Sequence, residues 1–199
     1  MTELTVLIVI DMQKGMQDAN RLANRLPPRN NPHAEDHIAR LLTAWRAAGQ
    51  PVVVVRHISR SPTSVFAPGQ SGAEFQERFV PLAHEHVVEK NVPDAFINTG
   101  LERWLHVRGI RKLVLAGVST NNSVESTARS AGNLGFAAAV VADATFAYAM
   151  TDFGGTPRSA EDVHLMALAN LHGEYATVLT TDDVLRQLDR GLSASAAAR

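Results

Sequence analysis

Lys112-Leu113-Val114-Leu115-Ala116-Gly117-Val118-Ser119-Thr120-Asn121-Asn122-Ser123-Val124-Glu125-Ser126-Thr127-Ala128-Arg129 is the stretch that decides the fold. It opens as an apolar run, passes through small and polar residues, and resumes from Ser123 to Ala131 before Gly132 and Gly135 close it. That order reads as strand, tight turn and helix. A side chain at the start of such a helix sits where unpaired backbone N–H groups converge and the helix dipole favours negative charge. Ser123 falls there, although serine is also a favoured N-cap wherever a helix begins.

Working outward, the same strand-then-helix alternation recurs on both sides. Leu4 to Ile10 is a nearly continuous aliphatic run, the pattern of a strand covered on both faces, and it ends at Asp11. In an open α/β sheet that carboxyl edge is where ligands bind. Met12 to Asn31 has no periodicity and reads as a long loop, after which Pro32 is placed as a first helical residue. Ile38, Leu41, Leu42 and Trp45 then repeat at helical spacing up to Gly49. Val52 to Val55 predicts a second strand with His57 just beyond its end, and Ser61 to Gly72 a second loop on the same edge. His86 to Glu89 predicts a third strand that delivers Lys90.

Thr99 and Glu102 have capping-box spacing ahead of a helix carrying Leu101, Trp104 and Leu105 and ending at Gly109. Beyond the central stretch, Ala137 to Val141 predicts a fifth strand, with Asp143 as a structural turn residue. A helix is expected from about Ser159 to Leu171, a sixth strand from Ala176 to Thr180, and a last short helix capped by Thr181. Residues 191–199 are expected to fray, leaving one domain over residues 1–190. The fold class is therefore α/β, a three-layer αβα sandwich on a six-stranded, mainly parallel sheet.

Composition narrows the function. At 199 residues the chain is long enough to bury a large core without disulfides or metals. Acidic and basic residues nearly cancel, 20 against 19, and neither sign is blocked together, which argues against a nucleic-acid groove. Cysteine is absent, excluding disulfides and Cys-based zinc sites. No basic stretch followed by an apolar one opens the sequence, so no secretory leader is expected, and no apolar stretch approaches the roughly 18–20 residues of a membrane span. A cytoplasmic protein acting on a small molecule, with no membrane partner, is the expectation.

Asp11, Lys90 and Ser123 each fall at the carboxyl end of a strand, and together they offer an acid/base, a cation and a hydroxyl, a set a hydrolase can use. The residues around them, Leu7-Ile8-Val9-Ile10-Asp11-Met12-Gln13, then Glu89-Lys90 with Asp94-Ala95-Phe96, then Gly117 to Ala128, resemble the isochorismatase-like hydrolases, also called the cysteine hydrolase family. The likeness runs in order and spacing from about residue 4 to residue 185. It implies a Rossmann-like topology and an Asp-Lys-Cys triad that hydrolyses amides, as in nicotinamidases, carbamoylsarcosine amidohydrolases and biuret hydrolases. Asp11 would be the general base, Lys90 would hold developing charge, and the nucleophile's position is Ser123. The resemblance also implies a non-proline cis peptide at Val118–Ser119, which would aim the Ser119 amide, with that of Ser123, into an oxyanion hole. A homodimer or homotetramer is implied on the same ground. Gln13, His57, Phe66, Phe96 and Asn122 are candidate substrate-pocket residues.

The departure from the family is the serine itself. A thiol with an ordinary pKa of about 8.5 ionises readily beside a cation at a helix start, whereas a hydroxyl must lose its proton during attack. Asp11 is a weak base for that unless burial raises it. Four readings stay open: a serine substituted for a native cysteine, a natural serine nucleophile, a residue that only positions water or substrate, or a pocket that has lost catalysis. The third follows the isochorismatase branch, which removes pyruvate from an enol ether without a cysteine nucleophile.

No cofactor is expected. His33 and His37 share a helix face without a third ligand, and His84 and His86 have strand spacing with the same shortfall. Some nicotinamidases carry an Asp-plus-two-His metal site after the first motif. No matching cluster stands between Asp18 and His57, so a metal-independent site is expected, with nicotinamide low among substrates. Gly132-Asn133-Leu134-Gly135 ends a helix instead of following a strand, and no dinucleotide or Walker fingerprint exists.

Overall fold

Aliphatic side chains on alternate sides of each central strand set the layers. A computed structural model describes residues 4–17 and 26–197. Its strands in chain order are β1 (Thr5–Ile10), β2 (Val52–His57), β3 (His86–Lys90), β4 (Lys112–Val118), β5 (Ala137–Phe146), a two-stranded hairpin of β6 (Met150–Thr151) and β7 (Pro157–Arg158), and β8 (Thr177–Leu179). The main sheet runs β3-β2-β1-β4-β5-β8, and every pairing in it is parallel. The helices are α1 (Ala34–Ala47), α2 (Leu101–Val107), α3 (Glu125–Asn133), α4 (Ala160–Leu171) and α5 (Thr181–Ala197).

Val6, Ile8, Ile10, Val53 and Val55 face one side of the sheet and pack with Leu101 and Leu105 of α2, Ala128 of α3, and Leu168 and Leu171 of α4. Leu7, Val9, Val52 and Val54 face the other, against Ile38, Leu41, Leu42 and Trp45 of α1 and Val184 of α5. Each such buried aliphatic side chain contributes about 1.5–3 kcal/mol. The strands are apolar on both faces because both are covered. Among the described residues no helix is long and apolar enough to cross a membrane.

Several boundaries differ from the sequence expectations, each for a local reason. Helix α1 begins at Ala34 with His33 as N-cap, two residues after Pro32, because Asn31 sits in the left-handed region (φ 45°) and its carbonyl accepts from Ala34 N at 3.0 Å. Thr99 and Glu102 form no capping box. Thr99 Oγ1 instead donates to Ala95 O at 2.6 Å and accepts from Leu101 N at 3.3 Å. A capping box does form at Ser159 and Asp162, at the start of α4.

Strand β5 runs past Val141 to Phe146, with a register shift opposite Leu115 to Gly117 of β4. The last helix is 17 residues long, not short, and remains helical through Ala197 where fraying was expected. Its first turn is capped by Thr180, whose Oγ1 accepts from Asp183 N at 3.2 Å, while Thr181 binds Asp143 through its amide and hydroxyl, both at 2.8 Å. Of the loop expected over residues 12–31, Lys14–Met16 is a 3₁₀ turn and residues 18–25 lie outside the described residues.

Candidate active site

Strand order reverses between β1 and β4, so the connections leaving their carboxyl ends diverge and open a crevice. Two sequence features bring those ends together. Gly117 of β4 has φ 124°, and a Cβ there would stand 2.1 Å from Ile10 O, so only glycine permits this approach of β4 to β1. Asp11 follows Ile10 in the left-handed region (φ 54°), a conformation that aspartate tolerates better than most residues.

After β4 the Val118–Ser119 peptide is cis. Ser119 is extended, and Thr120–Val124 then forms a wide π-helical turn that leads into α3. The amides of Asn122 and Val124 both donate to Ser119 O at 3.1 Å. Ser119 thus occupies the N-cap position, and Ser123 lies one turn inside the helical run, where a capping role is not available to it. Its side chain is directed to a different task.

Lys90, at the end of β3, extends its ammonium across the crevice. Nζ is 2.6 Å from Asp11 Oδ2 and donates to Ser123 Oγ at 3.1 Å. The lysine and aspartate side chains are 0% and 4% exposed, so this is an ion pair out of water. Asp11 Oδ1 is also buried and has no hydrogen-bond partner among the described residues. Burial pushes the Asp11 carboxyl above its ordinary range, and the opposing pull of the Lys90 ammonium and the Ser123 hydroxyl is weaker. The three residues therefore do converge, and the carboxyl is more basic than an exposed one.

The remaining sequence candidates divide. His57 is half-buried, and burial, reinforced by Lys90 and opposed by Asp11, lowers its pKa, so it is neutral at neutral pH. Phe66 meets the His57 ring edge-on at 6.2 Å and lies against Gly15, where a Cβ would come within 2.5 Å of the Phe66 ring. Asn122 is exposed on the turn beside Ser123.

Gln13, in contrast, is fully buried and has no free amide atom to offer a ligand. Nε2 donates to His57 O and Ala73 O, both at 2.9 Å, and Oε1 accepts from His57 N at 2.8 Å. It is a clip between the ends of β1 and β2 and the 71–79 segment. Phe96 is 8% exposed and stacked on Phe136 at 5.8 Å within the core.

Among the described residues no three His, Asp or Glu side chains gather as metal ligands would. His37 approaches Asp143 at 3.6 Å, His33 approaches Asp36 at 3.9 Å, and His86 stacks on Trp104 at 4.6 Å. Two buried features escaped sequence reasoning. Arg29 pairs with Glu35 through two 2.7 Å bonds and lies over the Phe146 ring. His164 meets Thr120 at 2.8 Å behind the serine turn. The one available signal for the latter was a histidine on the buried face of an otherwise apolar helix.

The isochorismatase domain model matches residues 5–183. The crystal structure of an isochorismatase-family protein from Chromobacterium violaceum superposes with a TM-score of 0.89 at 46% identity, covering 94% of each chain. YrdC, an isochorismatase family protein of Bacillus subtilis, is 37% identical over 93% of this chain and 96% of its own. Nicotinamidase 3 of Arabidopsis thaliana is 27% identical over 94% of this chain and 90% of its own. With the parallel sheet, its order and the family match agreeing over nearly the whole length, this chain belongs to the isochorismatase family of hydrolases.

Proposed function

We propose that this protein hydrolyses a C–N amide bond in a small polar substrate, with Asp11, Lys90 and Ser123 as the reacting groups. The observation that carries the proposal is the buried contact of Lys90 Nζ with both Asp11 Oδ2 and Ser123 Oγ. Ser123 Oγ adds to the carbonyl carbon while its proton passes to Asp11, whose Oδ1 has no hydrogen-bond partner among the described residues. The oxygen that gains charge is held by the amides of Ser119 and Ser123, a kind of donor worth about 10²–10³ in rate when removed. Collapse expels the amine, which takes the proton from Asp11. Water then attacks the acyl–serine ester, gives its proton to Asp11, and the released Ser123 oxygen recovers it. The Lys90 ammonium stabilises the alkoxide as it forms and holds Asp11 in register.

His57, Phe66 and Asn122 are the side chains proposed to contact the substrate. Assembly into a dimer or tetramer forms part of the proposal, and light scattering on the eluting protein checks it.

One observation favours a second reading: residue 123 is a hydroxyl, not a thiol. Enol-ether hydrolysis of isochorismate type needs no nucleophile from the protein, and Ser123 would then only orient water or substrate. Incubating the protein and its Ser123→Cys and Ser123→Ala variants with a panel of amides, ureas and isochorismate separates the cases. Amide turnover that rises with cysteine and vanishes with alanine supports the proposal. Isochorismate turnover that survives alanine supports the second reading. A ligand that binds but is never converted by any variant refutes both and leaves a binding protein.

A further inference from the structure

Behind the turn that carries Ser123 lies a buried polar chain that the proposed chemistry does not use. His164 of α4 is 3% exposed, and its Nδ1 is 2.8 Å from Oγ1 of Thr120, which is fully buried. On the far side of the ring, Nε2 stands 3.5 Å from Asn31 Nδ2. Asn31 Nδ2 already donates to Ala142 O at 2.9 Å and Thr145 O at 2.7 Å. These two carbonyls fix which way the Asn31 amide faces, because the flipped amide would set its oxygen against them.

Both Asn31 Nδ2 hydrogens go to those carbonyls and the amide nitrogen has no lone pair to offer, so a hydrogen on Nε2 would find no acceptor there. The imidazole is left with its hydrogen on Nδ1, and the bond to Thr120 runs from Nδ1–H to Oγ1. Thr120 is the first residue of the π-helical turn, next to Ser119 and three before Ser123. One neutral histidine therefore ties α4, β5 and the segment preceding α1 to the turn that presents the serine.

We propose that His164 is a positioning residue for the Ser119–Ser123 turn, acting as a neutral Nδ1–H imidazole, and that its protonation disarms the site. The proposal rests on the hydrolase reading given above. Protonation would leave the Nδ1–H bond to Thr120 but place an Nε2–H against the Asn31 amide nitrogen, which has no lone pair to accept it, and so drive the ring from its seat and pull on Thr120. Burial lowers the His164 pKa, which keeps the ring neutral at neutral pH. Glu161, on the same helix, is the charged group opposing that shift, and its carboxylate is engaged by Asn30 Nδ2 at 3.0 Å. From the turn and from the segment before α1, Thr120 and Asn31 reach the ring, both uncharged, and Asn31 is held in turn by the Ala142 and Thr145 carbonyls of β5. Arg29 in that last segment is paired with Glu35.

The test combines a measurement independent of activity with one that reads the serine. Nitrogen-15 NMR of the histidine-labelled protein reports the tautomer and its titration. Labelling by a fluorophosphonate reports how well Ser123 is presented. The expected result is a neutral Nδ1–H ring at pH 7, with labelling that falls as that ring titrates. His164→Leu and Thr120→Val should each slow labelling on the order of 100-fold, the cost of a misplacement near 1 Å, and the double variant should be no slower than either. His164→Asn, whose amide nitrogen stands near the Nδ1 position, should recover most of the rate, while His164→Gln should not.

An Nε2–H ring, an imidazolium at pH 7, or labelling that is unchanged in folded His164→Leu overturns the proposal. Wild-type protein that is never labelled at any pH, alongside an Nδ1–H ring, refutes the serine reading and not the tautomer. Amide shifts of residues 119–124 in His164→Leu then decide the positioning role, which fails if those shifts do not move.

Discussion

Replacing Lys90 with methionine keeps the buried aliphatic stem and removes the charge that faces Asp11 at 2.6 Å. Breaking a buried pair from one side costs about 3–5 kcal/mol, because the remaining charge has neither water nor partner. At about 2–4 °C per kcal/mol for a chain of this size, Lys90→Met should lower Tm by about 6–20 °C near neutral pH. The loss should also depend on pH in a defined direction. Burial already holds Asp11 above its ordinary 3.8. Between the unfolded and folded values the folded state keeps a proton that the unfolded chain releases, so stability falls as pH rises through that window. Removing Lys90 takes away the largest opposing influence, lifts the folded value further and extends the window upward. Thermal melts of the variant should therefore approach those of the wild type in acid and fall away toward alkaline pH. Adding Asp11→Asn should restore most of the stability, since a pair removed from both sides leaves no orphaned charge. An equal loss at pH 4 and pH 9, or a double variant as unstable as Lys90→Met alone, would refute this account of the pair.

Three further outcomes follow from the same geometry. Gly117→Ala places a methyl 2.1 Å from Ile10 O at a φ of 124°. It should cost on the order of 3 kcal/mol or more in urea denaturation and separate Asp11 from the serine turn. Gln13→Ala strands the His57 amide and the His57 and Ala73 carbonyls. A loss of about 2–4 kcal/mol is expected, and proteolysis should cut the 61–79 segment faster than in the wild type. In the proposed hydrolysis Asp11 must be ionised to accept a proton. The rate should therefore climb with pH through the raised Asp11 value, above the ordinary 3.8, and Asp11→Asn should be inactive across the whole profile.

The strands were legible because burial on both faces leaves no room for polar residues, as in Leu7-Ile8-Val9-Ile10. The candidate centre was legible because a polar residue that directly follows such a run, as Asp11 does, stands at the edge where a parallel sheet binds ligands. Helix ends were less so. Pro32, Thr99 and Thr181 each carry a valid local signal that a stronger nearby anchor overrides: the left-handed turn at Asn31, the carbonyl of Ala95 and the carboxylate of Asp143. Gln13 looked like a pocket residue because it follows Asp11, but its partners lie 44 and 60 residues away and have no local trace. The π-helical turn at Thr120–Val124 shares its residue types with an ordinary capped start, so an N-cap stayed open as the alternative for Ser123 until the backbone placed it one turn further in.

That extra turn changes what the serine demands of its neighbours. An N-capping hydroxyl is occupied by a backbone amide, whereas Ser123 Oγ accepts from Lys90, an interaction that strengthens as the oxygen becomes negative. For a thiol the cation alone would favour ionisation before any substrate arrives. A hydroxyl, with a far higher intrinsic pKa, gains from the cation only while its proton is leaving, so a second group must receive that proton within the same dry volume. Asp11 meets the requirement through two features: a buried Oδ1 with no protein partner among the described residues, and a basicity raised by the burial that also brings Lys90 close. In the proposed reaction the serine therefore makes the burial of Asp11 part of the chemistry. Any substitution that lets water reach the carboxylate should then weaken the site even when all three side chains remain in place.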